Sequence, residues 1–518
     1  MSVMSVPPSR LALPRSARAL RLELKRNAVP YVLPLLAAVF YFDTLRTADG
    51  FPPVWTLRAS AITDHMLFEF SAFAGGLAAW AGSREGRRKT RDLVVTTPRA
   101  AWARMSVALA GTLCWLLLAF LAGVAVLYIQ TALQATWGGP PLWPVFVGAA
   151  GVTVVTVIGF TAGVLFPGRF TAPLVAIGTL VLYRAGLHAA LSVTGPPGTY
   201  ALLSPANSPP AVDAGVYYHI APDLSVVQVL FMAGIAVALF GVLGLAPGLR
   251  ELAASAGGLT SLRAVIARGE GWLLRAVAVV LIACGAAASG TAFALAGTAR
   301  LDPAGGWEIP ALHSAASDQP VPVTQSCTSG SGFRVCVHQA FSFYTGDVAA
   351  ALHPVAAEIA GLPGAPAGAR EVGSGSDNAP VMSGISGNPP VFEFTAEHVG
   401  TMFGEFYGIP DAAGWSAGFQ QGLLDALLQG PSQQAGQVPL DAAQQAVEDV
   451  LLTAVGSQPL GSSSGQTAVN GKLGAATLAD ISAAAQRFGA LPASARHAWL
   501  AAHLAALRAG TITLAQLP

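Results

Sequence analysis

The chain has 518 residues, of which 53% are hydrophobic and 11% charged, and its formal net charge is +1. Water-soluble domains carry about 25% charged residues, so this composition excludes a chain built of soluble domains alone. The near-zero net charge gives no electrostatic case for a nucleic-acid partner.

A basic segment, 1–27, holds Arg10, Arg15, Arg18, Arg21, Lys25 and Arg26. Apolar runs follow near 28–45, 61–82, 105–130, 142–166, 171–192, 225–246 and 273–297. Most reach the ~20 residues that a helix needs to cross ~30 Å of hydrocarbon. The spacing predicts a transmembrane bundle of about seven spans over 28–298, in contact with the lipid bilayer. The first run is short, and no small-residue cleavage pattern follows it, so it reads as a retained helix. Asp64, His65 and Glu69 interrupt the second run near its start, where interfacial residues are expected more than an ion-coupling site. Ala72, Gly75, Gly76, Ala78, Ala79 and Gly82 form overlapping pairs of small residues four apart, as in a compact bundle or a dimer seam. In the fifth run Arg184, beside Tyr183 and His188, reads as an interfacial anchor more than a substrate contact.

Basic loops alternate with basic-free ones. Arg84, Arg87, Arg88, Lys89, Arg91, Arg99 and Arg104 follow the second run, and Arg250, Arg263 and Arg268 precede the last. The stretches 131–141 and 193–224 contain neither Lys nor Arg. This predicts a multi-pass plasma-membrane protein with a cytoplasmic N-terminus and an extracytoplasmic C-terminal domain. Thr97-Pro98 is a helix-start signal, so 83–104 reads as a short surface helix that restarts as the third span. Its role is either an anchor on anionic lipid or a docking surface for a cytoplasmic partner.

From Arg300 onward there are 16 Asp and Glu against 7 Lys and Arg, and no run long enough to span. Cys327 and Cys336, nine positions apart around Ser-Gly-Ser-Gly, read as a hairpin closed by a disulfide. Cys114 and Cys284 lie within apolar runs. Two strands are expected in 319–341, a helix over 346–361, a loop over 363–390, and helices near 396–407, 411–429, 440–456, 475–488 and 492–509. The expected fold class is an α-helical transmembrane bundle followed by a mostly helical α+β extracytoplasmic domain, 299–518.

The run GLAAWAGSREGRRKTRDLVVTTPRAAWAR (76–104) resembles the signature region of ABC-2-type exporter permeases, particularly actinobacterial ones. LRLELKRNAVPY (20–31) resembles the basic helix that precedes the first span in that family. FRVCVHQAF (333–341) and the closing stretch 496–518 resemble extracytoplasmic tails of such permeases. The resemblance implies a permease subunit whose loop after the second span rests on a separate cytoplasmic ABC ATPase subunit. Glu85, Arg87, Arg88, Arg91 and Asp92 are the residues expected at that contact. It further implies a homodimer or a sister permease, no catalytic residue and no cofactor. A seventh span with a large exterior domain departs from the six-span family pattern. In the family, the position of 193–224 holds short helices that re-enter the outer leaflet; a plain exterior loop fits the residues equally.

Two motifs are rejected. GQTAVNGKL (465–473) has one residue too many between its glycines for a P-loop, and Leu where Ser or Thr binds magnesium. HExxH, expected of a zinc peptidase domain, does not occur. Glu397-His398 with Glu405, and His497 with His503, read as scattered surface residues, so no metal site is expected. The alternative to a permease is a non-transporting membrane protein whose exterior domain binds a ligand or partner. A membrane-bound hydrolase would need catalytic residues that the exterior domain does not display.

Overall fold

The computed structural model describes residues 15–46, 53–88, 100–190, 198–205, 216–217, 221–254, 272–301, 307–314, 321–328, 332–373, 384–395, 412–430, 440–457 and 478–518. Helix α1 (Arg15–Arg26) is strongly amphipathic and ends on Lys25 and Arg26, cations that suit the negative end of a helix dipole. Asn27 follows; its Oδ1 accepts from the Val29 amide at 3.0 Å, and its Nδ2 donates to Thr112 Oγ1 at 3.1 Å. The first apolar run is broken. Segments Ala17–Tyr31 and Leu33–Leu45 meet at 48°, with Pro30 and Pro34 flanking the break. Helix α2 (Leu33–Val39) continues into a π-helical turn, Phe40–Leu45.

The second run begins earlier than its hydropathy indicates. Helix α3 (Trp55–Ala61), a π-helical turn (Ile62–Met66) and α4 (Leu67–Gly82) follow without interruption, ahead of the single turn α5 (Arg84–Arg87). Next come α6 (Ala101–Gln134), α7 (Trp143–Leu165), α8 (Thr171–Ala190), the short α9 (Thr199–Leu203), α10 (Asp223–Ala254) and α11 (Trp272–Ala296). Among the described residues, four helices are long and apolar enough to cross a membrane: Ala101–Gln134, Trp143–Leu165, Asp223–Pro247 and Trp272–Ala296. The bent pair makes a fifth if it counts as one span, and Thr171–Gly186 is a shorter apolar helix.

Small residues set the helix seams. A Cβ on Gly159 or Gly163 of α7 would fall inside contact distance of the Gly75 or Ala79 carbonyl oxygen of α4. Gly76 faces Ala172 and Ala176 of α8. The stripe seen in the sequence is therefore occupied within the chain, where it lets backbones touch as membrane bundles require. Gly234 and Gly241 of α10 meet Gly285 and Ala278 of α11 in the same way.

The C-terminal domain starts with a strand pair, β1 (Arg300–Leu301) and β2 (Trp307–Glu308). The main sheet has strand order β3-β4-β5-β7-β6, formed by Gln325–Thr328, Arg334–His338, Gly368–Val372, Val391–Thr395 and Gly384–Ser386 respectively. β3 and β4 form the expected hairpin, with Cys327 directly opposite Cys336 and joined to it by a disulfide. β4 pairs parallel to β5, and α12 (Thr345–Glu358) is the crossover between them. The stretch 363–390 was expected to be loop, yet it contains β5 and β6. Each has five residues or fewer; β5 is held between β4 and β7, which are remote in sequence, while β6 forms a short antiparallel hairpin with β7. Gly368 belongs there because a Cβ would meet the Arg334 carbonyl oxygen at 2.6 Å.

Helices α13 (Ala412–Gln429), α14 (Ala442–Ala454), α15 (Leu478–Gly489) and α16 (Ala493–Arg508) complete the domain. The helix expected at 396–407 lies outside the described residues. Phe392, Phe394, Phe419, Leu423, Leu451, Phe488 and Leu504 form one core. Gln444 shares a capping box with Asp441, and its Nε2 donates to the Leu428 and Leu507 carbonyls at 3.2 and 3.0 Å, tying three helix ends together.

Candidate functional site

The bundle has two chemically distinct ends. At one, α1 packs against the start of α6: Trp115 Nε1 donates to the Leu24 carbonyl at 2.9 Å, and Gly111 gives Glu23 room to lie alongside. Glu23 accepts two bonds from Arg84, at 2.8 and 3.3 Å, a bidentate pair that clamps α1 to the turn after the second apolar segment. Glu85 reaches Arg104 at 4.0 Å, and Gly86 lies against Pro167 of the loop between α7 and α8.

The residues expected to dock a partner are divided. Arg88 is exposed, and Glu85 is part-exposed. Arg87 is turned back on its own helix: Nε donates to Ser83 Oγ at 2.9 Å, Nη2 to the Trp80 carbonyl at 2.8 Å, and the guanidinium stacks 3.3 Å over the Trp80 ring. It serves as a helix C-cap and cation–π contact. Arg91 and Asp92 lie outside the described residues. Glu23 has only a faint signature in the sequence, that of a lone acid in a basic amphipathic helix.

At the other end, the C-terminal domain grips several inter-helix segments. Thr136, just past α6, donates to the Gln339 carbonyl at 2.8 Å and accepts from Ser342 at 3.1 Å. Val321 N donates to the Tyr217 carbonyl at 2.8 Å, and Val54 and Tyr217 join the domain's core. Asp223, at the start of α10, accepts from Ile309 N at 2.8 Å and lies 3.5 Å from His313 Nδ1. His338 sits at the centre, fully buried between Trp137 (4.9 Å) and Tyr217 (5.1 Å). Its Nδ1 accepts from Ala340 N at 3.1 Å, its own amide donates to Glu371 at 2.5 Å, and its Nε2 has no hydrogen-bond partner among the described residues. Burial lowers its pKa from 6.5 to about 4, so the imidazole is neutral at pH 7.

Between these ends lies an apolar cavity of about 260 Å³ among α4, α7, α8 and α10, lined by Val155, Ile158, Gly178, Leu182 and Met232 among others and capped by α9. It exceeds the ~150 Å³ apolar cavity that admits benzene. Gln228 pins the cap, with Nε2 donating to the Leu202 and Ser204 carbonyls at 2.9 Å each, and Tyr200 OH donates to the Leu182 carbonyl at 3.2 Å.

The other residues singled out in the sequence are placed as follows. Asp64 and His65 lie in the wide turn Ile62–Met66, and Glu69 lies fourteen residues past Trp55 rather than at a helix boundary. Tyr183 is buried, its hydroxyl bonded to the Thr63 carbonyl, whereas Arg184 is exposed with its guanidinium 5.8 Å from the Phe68 ring. The side chain of His188, the Glu397–Glu405 cluster and the segment 465–473 lie outside the described residues. His497 Nε2 contacts the Ala360 carbonyl at 2.8 Å and His503 Nδ1 the Trp499 carbonyl at 2.9 Å, so each belongs to local structure. Cys114 and Cys284 are exposed free thiols on α6 and α11. Among the described residues, no group of three or more His, Cys, Asp and Glu is placed to hold a metal ion. No protein-family model, curated protein or solved structure matches this chain.

Proposed function

We propose that this chain is the membrane permease subunit of an ABC-2-type exporter, driven by a separate cytoplasmic ATPase subunit. The observation that carries the reading is the Glu23–Arg84 clamp. It makes the amphipathic helix and the turn after the second segment one unit, with Arg88 presented at its surface. In this reading about seven segments span the plasma membrane, with α1 in the cytoplasm and the C-terminal domain outside. A closing motion of the ATPase pair would act on the clamped corner and shift the bundle between two conformations. Glu85 and Arg88 make the docking contact, together with Arg91 and Asp92, while Arg87 shapes the corner. Two bundles are required, from a homodimer or a sister permease. The apolar cavity supports a hydrophobic or amphiphilic cargo.

The test is affinity purification of the tagged chain from gently solubilised native membranes. A stoichiometric ATPase is the expected co-purifying subunit, and Arg88→Glu should release it while leaving membrane insertion intact. Intact, well-folded protein without any ATPase refutes the reading and favours a membrane protein whose exterior domain binds a partner.

A further inference from the structure

The wide turns Phe40–Leu45 and Ile62–Met66 pack against each other. π-Helical turns sit mostly as single insertions in α-helices, frequently where a side chain must be re-aimed for function. Here they bring polar groups from two segments to one point inside an apolar bundle. Asp43 and Thr44 from the first turn and Glu69 from α4 line a cavity of about 10 Å³, otherwise walled by Leu36, Phe40 and Phe70. That volume matches a single water-sized particle.

Three features of this cavity point to a ligand. Thr44 is 1% exposed, and its Oγ1 has no hydrogen-bond partner among the described residues, although a buried hydroxyl ordinarily finds one. Two carboxylates, Asp43 and Glu69, share the space. His65 Nδ1 lies 3.8 Å from Asp43 Oδ2. Arg46, Arg58, Asp64 and Arg184, on or beside the same segments, do not line the cavity. Among the described residues, no Lys, Arg or His lines the cavity, so a bound monovalent cation would offset the carboxylate charge there. Ionisable groups inside a bundle persist where they are paired and serve ion or proton traffic.

We propose that Asp43, Thr44 and Glu69 form a site for one water-sized monovalent cation, hydronium or sodium, held by two carboxylates and a neutral hydroxyl oxygen. Hard oxygen donors of this kind select such ions over soft ones. The site requires no ATPase, so its failure and that of the permease reading are separate.

The test uses the full chain in lipid nanodiscs, without ATP, and dicyclohexylcarbodiimide, which modifies protonated carboxyls in apolar surroundings. Peptide mapping should find an adduct on Glu69 or Asp43 in sodium-free buffer at pH 7. A tenfold suppression by sodium chloride but not choline chloride identifies a sodium site. Suppression by raising the pH, with no effect of sodium, identifies a proton site. In either case Thr44→Val should shift the half-suppressing concentration at least threefold, and Thr44→Ser should restore it. Absence of an adduct on both carboxylates overturns the proposal. So does labelling that responds to neither ion nor pH, or a half-point unmoved by Thr44→Val in a variant of unchanged melting temperature.

Discussion

Acidification should loosen the contact between the C-terminal domain and the helix bundle through His338. In the folded chain burial holds the imidazole pKa at about 4, against 6.5 when exposed, so the folded state binds fewer protons across that interval. The contribution is fully present above pH 6.5 and is lost as pH falls towards 4. At about 1.4 kcal/mol per pH unit, the gap is worth about 3.5 kcal/mol at most, or up to about 300-fold in local opening. A whole-protein melt would obscure this. Burial raises Asp425 and Asp449 to about 6, and raises Glu448, which is hydrogen-bonded to Asp425. Those carboxylates take up protons in the folded state as pH drops, which favours folding in the opposite direction. The assay is therefore local: hydrogen exchange, corrected for intrinsic pH dependence, compared between pH 7 and 4.5. Peptides covering 132–140 and 334–344 should lose protection, while those covering 420–428 and 446–452 should hold or gain it. His338→Phe keeps a ring between Trp137 and Tyr217 and should abolish the pH response, while removing the acceptor for Ala340 N at a cost of about 1 kcal/mol. Junction protection that is flat from pH 7 to 4.5, or that falls equally in His338→Phe, refutes the reasoning.

Gly159→Val or Gly163→Val forces α7 off the α4 backbone and should cost at least about 2 kcal/mol in detergent unfolding, whereas Gly178→Ala, whose Cβ meets nothing within 4 Å, should be silent. Cys327→Ser with Cys336→Ser opens a short loop and should lower the domain's stability by about 2–3 kcal/mol, measured by denaturant titration of peptide-resolved exchange. Glu23→Lys or Arg84→Glu alone should change stability by about 1 kcal/mol or less, because the pair is part-exposed, yet each should weaken ATPase co-purification; the double charge swap should restore it.

The sequence was legible where the signal is local. Long apolar stretches coincide with α6, α7, α10 and α11, and the Cys327–Cys336 hairpin pairs those two residues directly. The helices at 412–429 and 493–508 fall within a residue or two of their periodic patterns. Much of what escaped is short or depends on contacts between distant segments. β5 and β6 are too short for period-two alternation to stand out among Pro and Gly, and they exist because β4 and β7 pair with them. Helix α3 extends the second segment back to Trp55, where the residues are not uniformly apolar, so hydropathy alone starts that segment too late. Arg87 stands seven residues after Trp80 and four after Ser83, so helical spacing alone puts it, and not Arg88, on their face.

Helix α6 runs 34 residues without a break, and its two extremities are fastened to different parts of the protein. Near the start, Gly111 and Trp115 hold α1; just past the end, Thr136 holds the C-terminal domain. The 25 residues from Gly111 to Thr136 cover about 37 Å at 1.5 Å per residue. A stiff rod of that length, pivoting by 5° about its contact with Glu23, carries its far tip sideways by about 3 Å, roughly the reach of one hydrogen bond. Thr136 and Gln339 can therefore stay bonded through such a swing only if the C-terminal domain is towed with the rod.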